Sequence, residues 1–274
     1  MDKYVLKQTL LFLDKVSAGY GNKIILKDID MIERDVVREG VNATGQIIAV
    51  VGRSGRGKST LFKVLTGLVK PMSGRVLISD AKENEPESAK EVSEGDVGFV
   101  DQKYTLFRHK TIMEMMLYAL KKTKYSTAEK LKIVTKQLTT WGLIDHKDKY
   151  PCELSGGQKQ RTAIIEQLLT SKHYLIFDEP FSGLDVGNIE SVKTAFNIIQ
   201  NESELNTIIF STHDIRLAVD LSDVVYVIGY PEGTTEYSTI VGKYDLKELG
   251  FAWTKFGDQH RALVEEIKSQ MLKS

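Results

Sequence analysis

The stretch Gly52-Arg53-Ser54-Gly55-Arg56-Gly57-Lys58-Ser59-Thr60 constrains this chain more than any other. The apolar run Ile47-Ile48-Ala49-Val50-Val51 precedes it, and Leu61-Phe62-Lys63-Val64-Leu65-Thr66, which reads as a helix, follows. Strand, glycine-rich loop and helix in that order are the context required of a Walker A loop, G-x4-G-K-S. The glycines let the backbone curl so that successive N–H groups converge on a polyphosphate, and the helix N-terminus adds partial positive charge. Lys58 is expected to neutralise β/γ-phosphate oxygens and Ser59 to give its hydroxyl to Mg2+, so the expected ligand is MgATP. Arg53 and Arg56 share the loop. They either reach the phosphates or lie solvated, the commoner fate of arginine.

Three further apolar runs lack alternation: Tyr174–Phe177, Thr207–Phe210 and Val224–Ile228. Strands buried on both faces of a parallel sheet read this way. In such sheets ligands bind beyond the carboxyl ends of the strands, where this chain carries its polar and glycine residues. The first part, about residues 8–50, reads differently. Ile24-Ile25-Leu26, then Ile29, Met31 and Ile32, point to short antiparallel strands with a turn at Gly19–Asn22, and Arg34–Gly45 reads as a loop. Asp80–Asp96, rich in Glu, Lys and Ser, reads as a solvated loop. Residues 111–150 read as helical, with a capping box at Ser126 and Glu129 and a stripe of Leu131, Val134, Leu138 and Trp141 assigned to core. A further helix is expected over Ala262–Leu272.

Lys plus Arg equals Asp plus Glu at 37 each, so no basic excess points to direct nucleic-acid binding. Cys152 is the only cysteine, which excludes intramolecular disulfides and cysteine-cluster metal sites and fits a reducing cytoplasm. The N-terminal run Leu10–Leu13 is too short for a signal peptide, and no stretch approaches the ~18 apolar residues that span a bilayer. Any membrane crossing is left to other chains.

Leu154-Ser155-Gly156-Gly157-Gln158-Lys159-Gln160-Arg161 narrows the class. Here the chain resembles the ATP-binding cassette family, and this octet resembles its signature sequence. Around it, in the family's order, Gln102 matches the Q-loop and Tyr174-Leu175-Ile176-Phe177-Asp178-Glu179 matches Walker B with its adjacent glutamate. Ser182-Gly183-Leu184-Asp185 matches the D-loop and Thr212-His213-Asp214 the H-loop. Tyr20 stands where an adenine-stacking aromatic is usual, although the segment from Tyr20 to Gly52 is longer than the family's. Glu166 occupies a place where the family usually carries arginine.

The resemblance implies an α/β fold. Its parts are a P-loop NTPase core with a mainly parallel sheet, an N-terminal antiparallel β-subdomain and an inserted α-helical signature subdomain at about 103–160. The cassette would cover 8–230, and 231–274 would be a C-terminal extension of open role. Glu179 would act on the attacking water, with His213 and Gln102 beside the γ-phosphate. Asp178 and Gln102, with Ser59, would serve Mg2+. Ser155, Gly156, Gly157 and Gln158 would close over the ATP of a second cassette subunit, making a homodimer that ATP binding closes and hydrolysis releases. The load implied is transport by separate membrane-spanning permease subunits, with this subunit cytoplasmic and peripheral on the inner face of the membrane. The methionine-rich group Phe107, Ile112, Met113, Met115, Met116 and Leu117 is read either as subdomain core or as a groove for a permease helix. The alternative is a soluble cassette ATPase acting on nucleic acid, the ribosome or another protein complex.

Overall fold

The computed structural model describes residues 4–38, 40, 45–79, 89–101, 103–171, 173–183 and 186–274, with the side chains of 186–188 left aside. Its framework is a six-stranded sheet. Strands β3 (Gln46–Val51), β6 (Val97–Val100), β7 (Tyr174–Phe177), β8 (Thr207–Thr212) and β9 (Val224–Gly229) run parallel. An antiparallel edge strand, β10 (Thr239–Asp245), completes the order β10-β9-β3-β8-β7-β6. The four apolar runs of the sequence are its central strands. They lack alternation because both faces are covered. Ile47, Ala49 and Val51 of β3 face one hydrophobic core, while Ile48 and Val50 face another.

The second core is shared with a four-stranded antiparallel sheet of order β2-β1-β4-β5 and with helix α1 (Lys58–Leu65). The strands are β1 (Tyr4–Tyr20), β2 (Lys23–Arg38), β4 (Ser73–Ser79) and β5 (Ala89–Glu91). This sheet corrects two expectations. The N-terminal strands are long, 17 and 16 residues, joined by a tight turn at Gly21-Asn22. Register shifts interrupt the β1–β2 ladder at several points, and those breaks are what made the segment read as short strands. Arg34–Arg38 belongs to β2 rather than to a loop, and of the charged 80–96 stretch Ala89–Glu91 pairs with β4. Asp80–Ser88 lies outside the described residues.

Helices α2 (Ile112–Ala119), α3 (Thr127–Thr140), α4 (Gly156–Thr170), α5 (Val186–Glu202), α6 (Ile215–Leu221) and α7 (Asp258–Lys273) complete the structure. Ser126 and Glu129 form the expected capping box at α3. Val134, Leu138 and Trp141 are buried, but Leu131 is 48% exposed, so the stripe is narrower than its spacing implied. Ile112, Met115 and Met116 are core, Met113 and Leu117 pack against it, and Phe107 stays exposed in an edge-to-face pair with Tyr118 at 5.5 Å. The segment after residue 230 joins the body of the protein. β10 extends the main sheet, and Leu263, Val264, Ile267 and Met271 of α7, which begins before Ala262, enter the first core.

Two buried polar contacts fasten the structure, the first between the two sheets and the second within the main one. Glu33 of β2 accepts a hydrogen bond from the Tyr226 hydroxyl of β9 and pairs with Lys243 of β10 at 3.1 Å. The Asp223 carboxylate, pushed up to about 6 by burial, accepts the Ile47 N–H at 2.7 Å at the start of β3.

Behind the β7 and β8 strand tips, Phe177, Phe181, Phe196 and Phe210 pack ring against ring at centroid separations of 5.0–5.8 Å. Phe196 is 1% exposed and touches the other three. Phe196→Ala should therefore lower the unfolding free energy by about 3–5 kcal/mol. Urea unfolding of the purified chain reads this; a loss below about 1 kcal/mol would show that the ring cluster does not support the strand tips.

Candidate functional site

β3, β8, β7 and β6 are consecutive neighbours in the sheet, so their carboxyl ends form one rim. Gly52 follows β3, His213 follows β8, Asp178 and Glu179 follow β7, and Gln102 follows β6 by sequence. Parallel register sets the side-by-side order. Val51 is level with Thr212, and Phe177 with Phe210, which brings Asp178 beside Ser211. Gln102 itself lies outside the described residues, as do Leu184 and Asp185.

The loop from Gly52 to Thr60 is shaped by its glycines. Gly55 and Gly57 take φ of 78° and 88°, the left-handed region in which side-chain-bearing residues are strained. A Cβ on Gly57 would come within 2.8 Å of Leu26, and one on Gly52 within 2.5 Å of the Ile228 carbonyl. The loop thus fits closely against β2 and β9. Lys58 opens α1 and is 8% exposed. Its ammonium donates to the Gly52 carbonyl at 2.8 Å and the Arg53 carbonyl at 3.4 Å. Arg53, Ser54, Gly55 and Ser59 are exposed, and Thr60 is buried. Arg56 is partly exposed, and its guanidinium lies over Tyr230, 3.7 Å from the ring centroid.

Glu179 is the junction of the site. Its Oε1 lies 3.5 Å from the Lys58 ammonium and its Oε2 3.0 Å from His213 Nδ1. A carboxylate only accepts, so Nδ1 carries the proton in this contact. The Glu179 backbone stands at φ 51°, an uncommon conformation for a residue with a side chain. Two bonds hold it there. Its N–H donates to Ser211 Oγ at 2.9 Å, and its carbonyl accepts the Ser182 N–H at 3.1 Å. Ser211 in turn donates to Asp178 Oδ1 at 2.7 Å. Sequence reading missed Ser211. Its signal was position: it stands two residues before His213, at the end of the strand adjoining Walker B.

The remaining candidates are Tyr20 and the residues at the start of α4. Tyr20, at the end of β1, is 49% exposed, and the Lys63 ammonium of α1 lies 5.7 Å from its ring centroid. Ser155 caps α4. Its Oγ accepts the Gln158 N–H at 3.3 Å, and Gln158 Oε1 accepts the Ser155 N–H at 2.9 Å. Gly156 and Gly157 follow in the first turn, and nothing lies within 4 Å of a Cβ placed on Gly156. The described hydrogen bonds of Ser155 and Gln158 stay within α4. They do not join the Lys58–Glu179–His213 group. Glu166, further along α4, is half-buried, and burial pushes its carboxyl up to about 7.

Chemically, the rim offers a buried ammonium, curled amides, two adjacent carboxylates and an imidazole. The narrow cradle closed by Gly52 and Gly57 suits a polyphosphate. The hard oxygens of Ser59 and Asp178 suit Mg2+, which takes few protein ligands and fills its shell with phosphate and water.

Comparison with known proteins agrees with this geometry. Residues 41–182, just over half of the chain, match the family model described as ABC transporter. The arginine transport ATP-binding protein ArtM of Bacillus subtilis is 33% identical over 79% of this chain and 86% of its own length. The sulfate/thiosulfate import ATP-binding protein CysA of Synechococcus elongatus is 32% identical over 80% of this chain, which spans 59% of that relative. The uncharacterized ABC transporter ATP-binding protein y4fO of Sinorhizobium fredii is 33% identical, and the chain spans 61% of its length. Among solved structures, cbiO1 of Clostridium perfringens, described as part of the ABC transporter complex cbiONQ, superposes with a TM-score of 0.69 at 29% identity. That match covers 90% of this chain and 92% of the other. A rim built from the strand tips of a parallel sheet and relatives of this likeness lead to one conclusion: the chain belongs to the ABC transporter family, among its ATP-binding proteins.

Proposed function

We propose that this chain binds and hydrolyses MgATP and uses that cycle to drive transport by separate membrane-spanning subunits. The observation that carries the reading is the position of Glu179, 3.5 Å from the Lys58 ammonium and 3.0 Å from His213 at adjoining strand tips. A base, a cation for the phosphate and a polar group for the γ-oxygens thereby share one rim.

In this reading the Gly52–Thr60 amides and Lys58 hold the triphosphate, and Tyr20 stacks on the adenine. Ser59, Asp178 and Gln102 would hold Mg2+, which would supply positive charge to the phosphate oxygens when bound. Ser211 keeps Asp178 oriented and holds the strained Glu179 backbone in place. Glu179 accepts a proton from water as the water oxygen bonds to the γ-phosphorus and the bridging oxygen leaves with ADP. A base of this kind contributes roughly 10²–10⁴-fold. His213 already donates one N–H to Glu179. It donates to a γ-phosphate oxygen as well only in its doubly protonated form, since the neutral ring has a single N–H.

Ser155, Gly156, Gly157 and Gln158 serve the ATP of a second subunit. Their preformed helix start offers the Gly156 and Gly157 amides to an anion, and the capping box fixes its direction beforehand. The active form is therefore a dimer, taken here as a homodimer. The subunit works in the cytoplasm, peripherally on the inner face of the membrane. No helix among the described residues is long and apolar enough to cross a membrane. Two of the named relatives serve arginine transport and sulfate/thiosulfate import. The substrate here belongs to the permease partner.

Glu179→Gln should retain MgATP binding, lose turnover by roughly 10²–10⁴-fold and accumulate an ATP-bound dimer in size-exclusion chromatography. Wild-type turnover in that variant would remove Glu179 from the role of base. Lys58→Ala should weaken MgATP binding measured by calorimetry, and unchanged affinity would sink the reading of the loop. Chelating Mg2+ with EDTA should abolish phosphate release and leave the far-ultraviolet circular dichroism unchanged. For the load, affinity purification from detergent-solubilised native membranes should recover a multispanning protein. Recovery of this chain alone, or with soluble partners, would count against transport.

A further inference from the structure

The phosphate reading gives the Arg56 side chain no part. Arg56 sits between Gly55 and Gly57, both left-handed, so the crest of the loop has a side chain where the backbone is most pliable. That side chain places its guanidinium over Tyr230, 3.7 Å from the ring centroid. Its Nε is shielded from solvent and has no hydrogen-bond partner, so stacking holds the shielded part of the guanidinium.

Tyr230 is itself held. It follows β9, and its N–H donates to the Ser274 carbonyl at 3.0 Å, just past the last turn of α7. A Cβ on neighbouring Gly229 would collide with Ser274, so β9 and this end of α7 are in close contact. The helix end is fixed by Gln270, which donates to the Val241 carbonyl and accepts the Tyr244 hydroxyl at 2.6 Å. Arg53, Arg56 and Tyr230 line one cleft, of about 880 Å³, together with Leu272 and Lys273 near the end of α7. Arg56 is also linked to Lys58, because the Arg53 carbonyl accepts both the Arg56 N–H at 3.3 Å and the Lys58 ammonium at 3.4 Å.

We infer that Arg56 is a positioning residue: its stack on Tyr230 holds the crest of the Gly52–Thr60 loop in its phosphate-ready shape and ties that shape to β9 and α7. The inference rests on the nucleotide reading above and assigns the segment beyond residue 230 a part in it. The Arg56 side chain touches no phosphate in this scheme. It limits the number of shapes the loop samples, so its loss reduces the fraction of binding-competent loop and raises the apparent Kd in proportion.

The test uses the full chain in four variants, Arg56→Ala, Tyr230→Ala, their double variant and Tyr230→Phe, with MgATP affinity by calorimetry and steady-state turnover. A cation–aromatic stack of this kind is worth a factor of roughly 3–30. Each single alanine variant should weaken MgATP binding by that factor, through KM with kcat nearly unchanged. The double variant should be no weaker than the worse single one, and Tyr230→Phe should bind like wild type. Urea midpoints identify any variant that loses affinity by unfolding. In that case Arg56→Gln, which keeps a polar chain on a partly exposed site, replaces Arg56→Ala. Wild-type affinity in both single variants overturns the inference, as do losses that multiply in the double variant. A wild-type chain that binds no MgATP overturns the nucleotide reading instead, a separate result.

Discussion

The parallel register of β3, β8 and β7 is the constraint on which the site depends. Neighbouring parallel strands rise together, so level residues at their ends lie one strand spacing apart, about 5 Å. Val51 beside Thr212 and Phe177 beside Phe210 are two such pairs. From those pairings alone Gly52, His213, Ser211 and Asp178 must emerge side by side. A slip of one residue in β8 would turn Ser211 away from Asp178 and leave the Glu179 N–H without its acceptor. The buried faces prevent the slip, because Ile208 and Phe210 serve one core and Ile209 the other.

The site also shows how strain is supported. Glu179 holds a backbone angle that side-chain-bearing residues avoid, at a cost on the order of 1–3 kcal/mol. Bonds to Ser211 and from Ser182 fix its two backbone groups, and the phenylalanine cluster packs beneath. The carboxylate, by contrast, is held among the described residues by groups at the rim, Lys58 and His213. Rigid backbone under a side chain bound by exchangeable partners suits a group that takes up and gives back a proton.

Much of this was legible in the sequence, and the failures have physical causes. Continuous apolar runs identified four central strands, because burial on both faces leaves no other pattern. β6, four residues with Gly98 among them, is too short to stand out, and β10 sits at an edge where polar residues are allowed. The long hairpin read as short strands, since each bulge resets the alternation that marks a strand. Motif residues at strand tips were found because their chemistry depends on order along the chain. Ser211 and the Arg56–Tyr230 stack were not, because they depend on pairing between residues 33 and 174 positions apart. Leu131 illustrates the opposite error: helical spacing marks a face, and the edge of that face stays wet.

The Glu33 contact bears on how the molecule moves. Its carboxylate is nearly enclosed, and its partners, Tyr226 and Lys243, come from the other sheet. Turning one sheet against the other would strand a buried charge, a penalty of roughly 3–5 kcal/mol. That exceeds thermal energy several times over, so the two sheets behave as one rigid block. A displacement of β2 at Glu33 that kept these contacts would have to take β9 and β10 along with it.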